Sequence, residues 1–262
     1  MTIKAPTLRT TVFALMGATV LATSTLISVK PAAAEMTEAQ KTEMGAFVRE
    51  YLIANPEVLI EVQQAYEKKQ YESRLSQAGA GIAENKDAIF SDKNDIVLGN
   101  PKGDVTVVEF FDYNCGYCKH ALEDMDAILE KDKDVRFVLK EFPILGPESV
   151  AAHQVANAVR LTAPEKYPDF HRKLLGGETR ATEETAMEVA TSLGLDEAKL
   201  RQSMKDQPND NNVKTTYRLA NALGITGTPY YVVGNEALIG AQGADAIEEK
   251  IANIRKCGKA SC

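Results

Sequence analysis

Two cysteines separated by two residues, Cys115-Gly116-Tyr117-Cys118, stand just beyond the run Val105-Thr106-Val107-Val108-Glu109-Phe110-Phe111. A buried-strand pattern, then Cys-x-x-Cys, then a helical pattern is the setting in which this spacing reads as redox chemistry. At a helix N-terminus, unpaired N–H groups and the helix dipole stabilise a thiolate. Cys115 therefore reads as the nucleophile that attacks a disulfide, and Cys118, one turn further in, as the thiol that resolves the mixed disulfide. A static disulfide or half of a zinc site is the alternative. Zinc would need further ligands at suitable spacing, and Cys257 and Cys262 lie far along the chain.

Three other groups carry chemistry. Glu109 interrupts an otherwise apolar run, so its carboxylate is expected inside the protein. Burial disfavours the charged form and raises the pKa, which suits a group passing protons to and from Cys118. A surface glutamate on an edge strand is the plainer reading. Thr228-Pro229 precedes the apolar run Tyr230-Tyr231-Val232-Val233, where a cis peptide bond is affordable; a trans turn is the alternative. Cys257 and Cys262, with Gly258 between them, read first as a local disulfide, with two free thiols or a metal-binding tail as alternatives. His120 follows Cys118 in Cys-x-His spacing, but a solvated helix face accounts for it, and His153 and His171 do not cluster with it in sequence.

The elements that must position these groups follow from periodicity. Residues 95–99 read as a short strand and Val105–Phe111 as a central strand buried on both faces. Ala121, Leu122, Met125, Ile128 and Leu129 form a helical stripe, and 135–139 is the next strand. A crossover of that length joins parallel strands. Helical patterns follow at 149–161, 167–175, 183–193 and 209–223, the last closed by Gly224 at a C′ position. Residues 230–233 and 237–240 form a hairpin around Gly234-Asn235, and 244–254 is a closing helix. The expected class is α/β: a β-α-β unit and a β-hairpin split by an all-helical insertion at 149–224.

Residues 37–88 are helical and different in kind. Met44, Phe47, Val48, Tyr51 and Leu52 form an apolar stripe that Leu59, Val62 and Tyr66 continue. Asn55-Pro56-Glu57 reads as a restart with Asn55 as N-cap, and Gly79-Ala80-Gly81 as a flexible join. Short isolated helices are marginal in water. The stripe must fold back on its own domain or pack against copies of itself, and the second is the expectation taken here.

Ahead of it, residues 1–34 read as a secretory signal. Lys4 and Arg9 make a basic start, 11–29 is apolar, and Ala32-Ala33-Ala34 supplies small residues for cleavage before Glu35. A retained membrane anchor is the alternative. An exported protein would work where disulfides persist, and the leader's length and style point to a bacterial periplasm. The net charge of −7 without a basic cluster argues against nucleic acid or an anionic membrane as partner. Four cysteines in 262 residues are too few for a disulfide-stapled scaffold.

These motifs together resemble the DsbA-type thioredoxin-fold proteins. The resemblance is carried by Val107-Val108-Glu109-Phe110-Phe111-Asp112-Tyr113-Asn114-Cys115-Gly116-Tyr117-Cys118, by Glu141-Phe142-Pro143-Ile144-Leu145-Gly146, and by Gly227-Thr228-Pro229. It implies a thioredoxin fold over about 89–262, with Pro229 facing the cysteine pair and Thr228 pairing its backbone with an extended substrate. Phe47-Val48-Arg49-Glu50-Tyr51-Leu52 and Asn55-Pro56-Glu57-Val58-Leu59 are similar to the extension of the ScsC/Com1-like subset. That similarity implies an oligomerisation segment over 35–88, a trimer first and a dimer second, and disulfide isomerisation. Gly116-Tyr117 between the cysteines departs from the Cys-Pro-His-Cys of strong oxidases and is similar to the isomerase DsbC. The expected function is disulfide isomerisation on secreted or periplasmic proteins, served by an unidentified membrane redox partner, with no cofactor and no metal. A monomeric dithiol oxidase and a copper-binding metal-tolerance protein are the rivals.

Overall fold

The computed structural model describes residues 36–262; the leader and cleavage point read at 1–34 lie outside the described residues. The described residues divide into two compact units, with the boundary between Leu59 and Ile60.

In the first unit, α1 (Glu38–Ala54) opens with a capping box. Thr37 Oγ1 accepts from the Gln40 N–H at 3.3 Å while Gln40 Oε1 accepts from the Thr37 N–H at 2.9 Å. The stripe of Met44, Phe47, Val48 and Tyr51 is exposed, with the Phe47 and Tyr51 rings stacked. Asn55 does not cap the following helix. It terminates α1, its side-chain N–H donating to the Tyr51 carbonyl at 2.8 Å and its backbone N–H to the same oxygen at 2.9 Å. The residue before a proline is steered away from helical geometry, so Asn55 satisfies a helix-end carbonyl instead.

The next helix, α2 (Glu57–Glu84), runs unbroken through Gly79-Ala80-Gly81, where the composition suggested a flexible join. Gly81 serves close approach rather than freedom. A Cβ there would lie 2.6 Å from the Ala222 carbonyl oxygen, so only glycine lets the two backbones meet. Ala78 and Ile82 are buried beside it. This packing ties the C-terminal end of α2 to the second unit, which begins at Ile60.

After the short α3 (Lys86–Phe90) come β1 (Ile96–Gly99), β2 (Val105–Phe111), α4 (Gly116–Lys131) and β3 (Val135–Glu141). The insertion holds α5 (Pro147–Thr162), a 3₁₀ turn (Pro164–Lys166), α6 (Tyr167–Gly176), α7 (Glu183–Ser192), α8 (Glu197–Asp206) and α9 (Asp210–Leu223). Hairpin β4 (Tyr230–Val233) and β5 (Glu236–Ile239), then α10 (Ala244–Cys257), close the chain. The helix α8 is absent from the sequence reading. Only Leu200 and Ser203 are buried on it, too thin a stripe to register as periodicity. Gly224 is the left-handed cap expected after α9, with φ 69°.

The sheet order is β1-β3-β2-β4-β5. Strands β2 and β3 are parallel and the other pairs antiparallel, so β2 lies at the centre. Alternate residues face opposite sides, and two cores result. Val107, Phe111, Phe137, Tyr231 and Val233 pack with α4, α10 and most of the insertion. Val108, Phe110, Val138, Tyr230 and Val232 pack with Ala78, Ile82, Ile89, Leu219 and Leu223. No described helix is long and apolar enough to cross a membrane.

Candidate active site

The first core delivers the cysteines. Cys118, Ala121, Leu122, Met125 and Ile128 are the buried face of α4, which seats the helix on the sheet and leaves its N-terminal end at the mouth of β2. Cys115 is the N-cap, in extended conformation. Its side chain is 8% exposed while Cys118 is fully buried, and both are free thiols. The next two residues, Gly116 and Tyr117, are exposed, Tyr117 at 69%.

The environment splits the two thiols. Cys115 is brought down to about 5, chiefly by a hydrogen bond from Cys118, helped by the Thr228 side chain and the N–H groups of Cys118 and Tyr117, against partial burial. These N–H groups are the unpaired donors of a helix start. Burial drives Cys118 far above the ordinary thiol range, reinforced by its hydrogen bond to Cys115 and by the charge of Glu109. One sulfur is thus a stable thiolate at neutral pH and the other a proton-holding thiol.

Glu109 lies on the cysteine side of the central strand, 2% exposed. It sits opposite Leu139 on β3 and Tyr231 on β4, and the edge-strand reading does not hold. Burial pushes its carboxyl up to about 8, with the negative charges of Cys115 and Asp124 adding and the Tyr231 phenol opposing. Its Oε1 has no hydrogen-bond partner among the described residues. An interior carboxyl with one oxygen unpartnered and little to offset its burial is held protonated, within electrostatic reach of both sulfurs.

Across the mouth stands the loop before β4. The Thr228–Pro229 bond is cis, and the Thr228 carbonyl oxygen lies 3.2 Å from Cys115 Sγ. That oxygen can accept only from the protonated thiol, whereas the Thr228 side chain favours the thiolate.

Sequence reasoning missed what holds the loop between β2 and α4. Asp112 is fully buried. Its Oδ1 accepts from the Asn114 N–H and the Ser149 hydroxyl, both at 2.8 Å. Its Oδ2 accepts from the N–H groups of Ile144 at 2.8 Å and Leu145 at 2.9 Å. Asn114 donates to the Ala181 carbonyl at 2.9 Å and accepts from the Ala181 N–H at 2.8 Å. The strand of polar residues Asp112-Tyr113-Asn114 between apolar run and cysteine was the available signal, since Asp and Asn in turns bond to nearby backbone. His153 and His171, scattered in sequence, are both buried against Phe111 and Tyr113. Tyr113 Oη lies 3.3 Å from His171 Nδ1 and 2.9 Å from Tyr167 Oη. Burial lowers His171 to about 3, so it is neutral. His120 is exposed. Cys257 and Cys262, at the far end of α10, are joined in a disulfide.

A split dithiol at a helix start, backed by a buried acid and faced by a cis-proline loop on a thioredoxin sheet, defines a thiol–disulfide oxidoreductase. The chain belongs to the DSBA-like thioredoxin domain family, whose profile matches residues 106–252, and residues 40–72 match the copper resistance protein ScsC N-terminal domain. Among solved structures, a thioredoxin-like oxidoreductase from Silicibacter pomeroyi DSS-3 is 38% identical with a TM-score of 0.63, covering 66% of this chain and 99% of that one. Proteus mirabilis ScsC in a transitional conformation is 28% identical with a TM-score of 0.60, covering 83% of this chain and 95% of its own. The thiol:disulfide interchange protein DsbA of Bordetella parapertussis is 33% identical, over 50% of this chain and 64% of its own length. The match to the Na(+)/H(+) antiporter NhaA 3 of Salinispora tropica, 23% identical over 60% of this chain, spans only 24% of that protein.

Proposed function

We propose that this protein is a periplasmic disulfide isomerase for secreted proteins, working through Cys115 and Cys118. The observation that carries the reading is the split between the thiols. In the reduced protein, the Cys115 thiolate attacks one sulfur of a substrate disulfide, forming a mixed disulfide and releasing the other substrate sulfur as a thiolate. A second substrate thiolate then displaces Cys115, leaving a rearranged disulfide in the substrate and restoring the Cys115 thiolate. No net electrons move.

When no substrate thiol arrives, Cys118 resolves the intermediate. It must first lose its proton, and Glu109 is placed to take it. Burial is the main hold on the Glu109 proton and the Cys115 charge adds to it, so formation of the mixed disulfide, which removes that charge, makes the carboxyl easier to ionise at the step that needs a base. Cys118 then attacks Cys115, the substrate leaves reduced, and the pair is oxidised. A membrane redox partner is needed to return it to the dithiol state. The Thr228–Pro229 loop receives the substrate as an extended strand, with Thr228 supplying backbone pairing and Gly116-Tyr117 lining the same approach.

Isomerisation over simple oxidation is supported by Gly116-Tyr117, which offers the thiolate no cationic neighbour, and by the exposed stripe Met44, Phe47, Val48 and Tyr51 in the segment matched to ScsC. That stripe assembles copies, three being favoured over two, and several active sites around one captured substrate raise the effective thiol concentration. The rival is a DsbA-type oxidase, which the name of the Bordetella relative favours. The match of residues 40–72 to the N-terminal domain of a copper resistance protein also raises copper tolerance, with the two thiols as soft ligands.

Refolding of scrambled ribonuclease by the reduced protein decides among them. Recovery of ribonuclease activity, lost in Cys115→Ser, is the expected result. Fast oxidation of reduced ribonuclease without recovery assigns the oxidase instead, and tight Cu(I) binding with neither activity assigns the third role. Deletion of 35–80 should abolish isomerisation while leaving simple thiol exchange; a fully active truncation removes the link to assembly.

A further inference from the structure

The groove beside the cis-proline loop is not built from that loop alone. A cavity of about 130 Å³ is lined by Thr226, Gly227, Thr228, Pro229 and Gly240 together with Arg74 of α2, and Arg74 is the only charged residue lining it. Its position follows from the helix repeat. Arg74, Gln77, Ala78 and Gly81 recur at i, i+3, i+4 and i+7 and share one face. That face is anchored: Ala78 is buried, Gly81 meets the Ala222 backbone, and Gln77 donates to the Asn221 carbonyl at 3.4 Å. Gly224 leaves room for the Gln77 amide, which a Cβ there would meet at 2.8 Å. One turn earlier along this fixed face, Arg74 is exposed, and no hydrogen bond or ion pair to it is found among the described residues.

A guanidinium at the lip of a groove made otherwise of backbone, hydroxyls and apolar side chains finds its natural partner among the side chains of an unmodified peptide in a carboxylate. We propose that Arg74 is a specificity-determining residue of the exchange site, favouring extended substrate segments that carry Asp or Glu close to the reacting cysteine. This deepens the reading above and rests on its assignment of the Thr228–Pro229 loop to the substrate strand. In a strand, side chains alternate, so an acidic residue two positions from the cysteine points to the same side as it does. The extension helix thereby has a second role, as one charged wall of the site.

The test uses the full chain and two peptide–glutathione mixed disulfides that differ only in Glu or Lys two residues from the cysteine. At low ionic strength the wild-type kcat/KM should favour the Glu peptide by about fivefold, the upper range for an exposed ion pair. Arg74→Glu should invert the preference, Arg74→Lys should keep its sign, and high salt should flatten it. A ratio that Arg74→Glu does not change overturns the proposal. Turnover of uncharged hydroxyethyl disulfide by the wild type but not by Cys115→Ser keeps that failure separate from a failure of the exchange chemistry. If the wild type turns over neither peptide nor hydroxyethyl disulfide, both readings fall together.

Discussion

The molecule carries two cysteine pairs at opposite kinds of helix end. Cys115 and Cys118 begin α4, whereas Cys257 is the last residue of α10 and Cys262 lies beyond it, with Gly258 capping the helix at φ 76°. At the first end the N–H groups and the positive dipole end stabilise a negative sulfur. At the second a thiolate would face carbonyls and the negative end, and the uncharged disulfide is the better occupant. Burial adds to the contrast. Cys118 is fully buried beside an interior carboxyl, whereas Cys257 and Cys262 are exposed. The same side-chain chemistry becomes reactive or inert according to which end of a helix it meets and what is buried behind it.

Several substitutions break or sharpen that contrast. Cys115→Ser should reduce disulfide exchange to the uncatalysed background in an insulin-reduction assay, while the double change Cys257→Ser and Cys262→Ser leaves the rate nearly as it was. Equal losses in both would erase the distinction. Next, Glu109→Gln should slow resolution of a trapped mixed disulfide by about 10²-fold, the lower range for a lost general base. It should also remove from the pH profile the inflection of a carboxyl that burial holds above its ordinary range; an unchanged profile would take Glu109 out of the proton path.

Titration of Cys115 gives a smaller effect. Its alkylation by iodoacetamide should follow a midpoint of about 5, so the rate at pH 4 falls about tenfold below the plateau. The linked stability runs in the same direction. Because the folded pKa is depressed from 9.0 to about 5, ionisation stabilises the reduced protein fully above about 9. That stabilisation declines as pH falls and is gone below about 5. Urea unfolding of the reduced protein across this window checks the sign. Last, opening the Cys257–Cys262 disulfide should cost at most about 2 kcal/mol, as the closed loop is short. A thermal melt of the double serine variant measures it.

How much of this was legible in the sequence depended on range. The β2–α4–β3 unit, the burial of Glu109, the cap at Gly224 and the cis bond at Pro229 are written in local patterns: an apolar run, a helical stripe, a glycine after a helix, a proline before a strand. Asn55 and Gly81 were misread because their roles are decided by neighbours. Pro56 made Asn55 an end rather than a beginning, and Ala222, far along the chain, made Gly81 a contact rather than a hinge. The Asp112 and Asn114 bonds and the pairing of His153 with His171 around Tyr113 join residues that only the folded insertion brings together. Nothing periodic announces such contacts. The thin apolar face of α8, with only Leu200 and Ser203 buried, hid a whole helix.

The long reach of the contacts around Cys115 bears on the order in which the protein matures. Asn114 finds its partners 35 and 67 residues downstream, at Ser149 and Ala181, and Cys115 meets Thr228 across 113 residues. A chain that emerges from its N-terminus therefore presents both cysteines well before those distant partners exist. Until the insertion has emerged the loop before Cys115 lacks its moorings, and until β4 arrives the sulfur lacks its opposite wall. The local part of the site, the Cys118 thiol and the first N–H groups of α4, comes with the helix itself, whereas the Thr228 contact and the deep burial of Cys118 are added only when the later segments close over it.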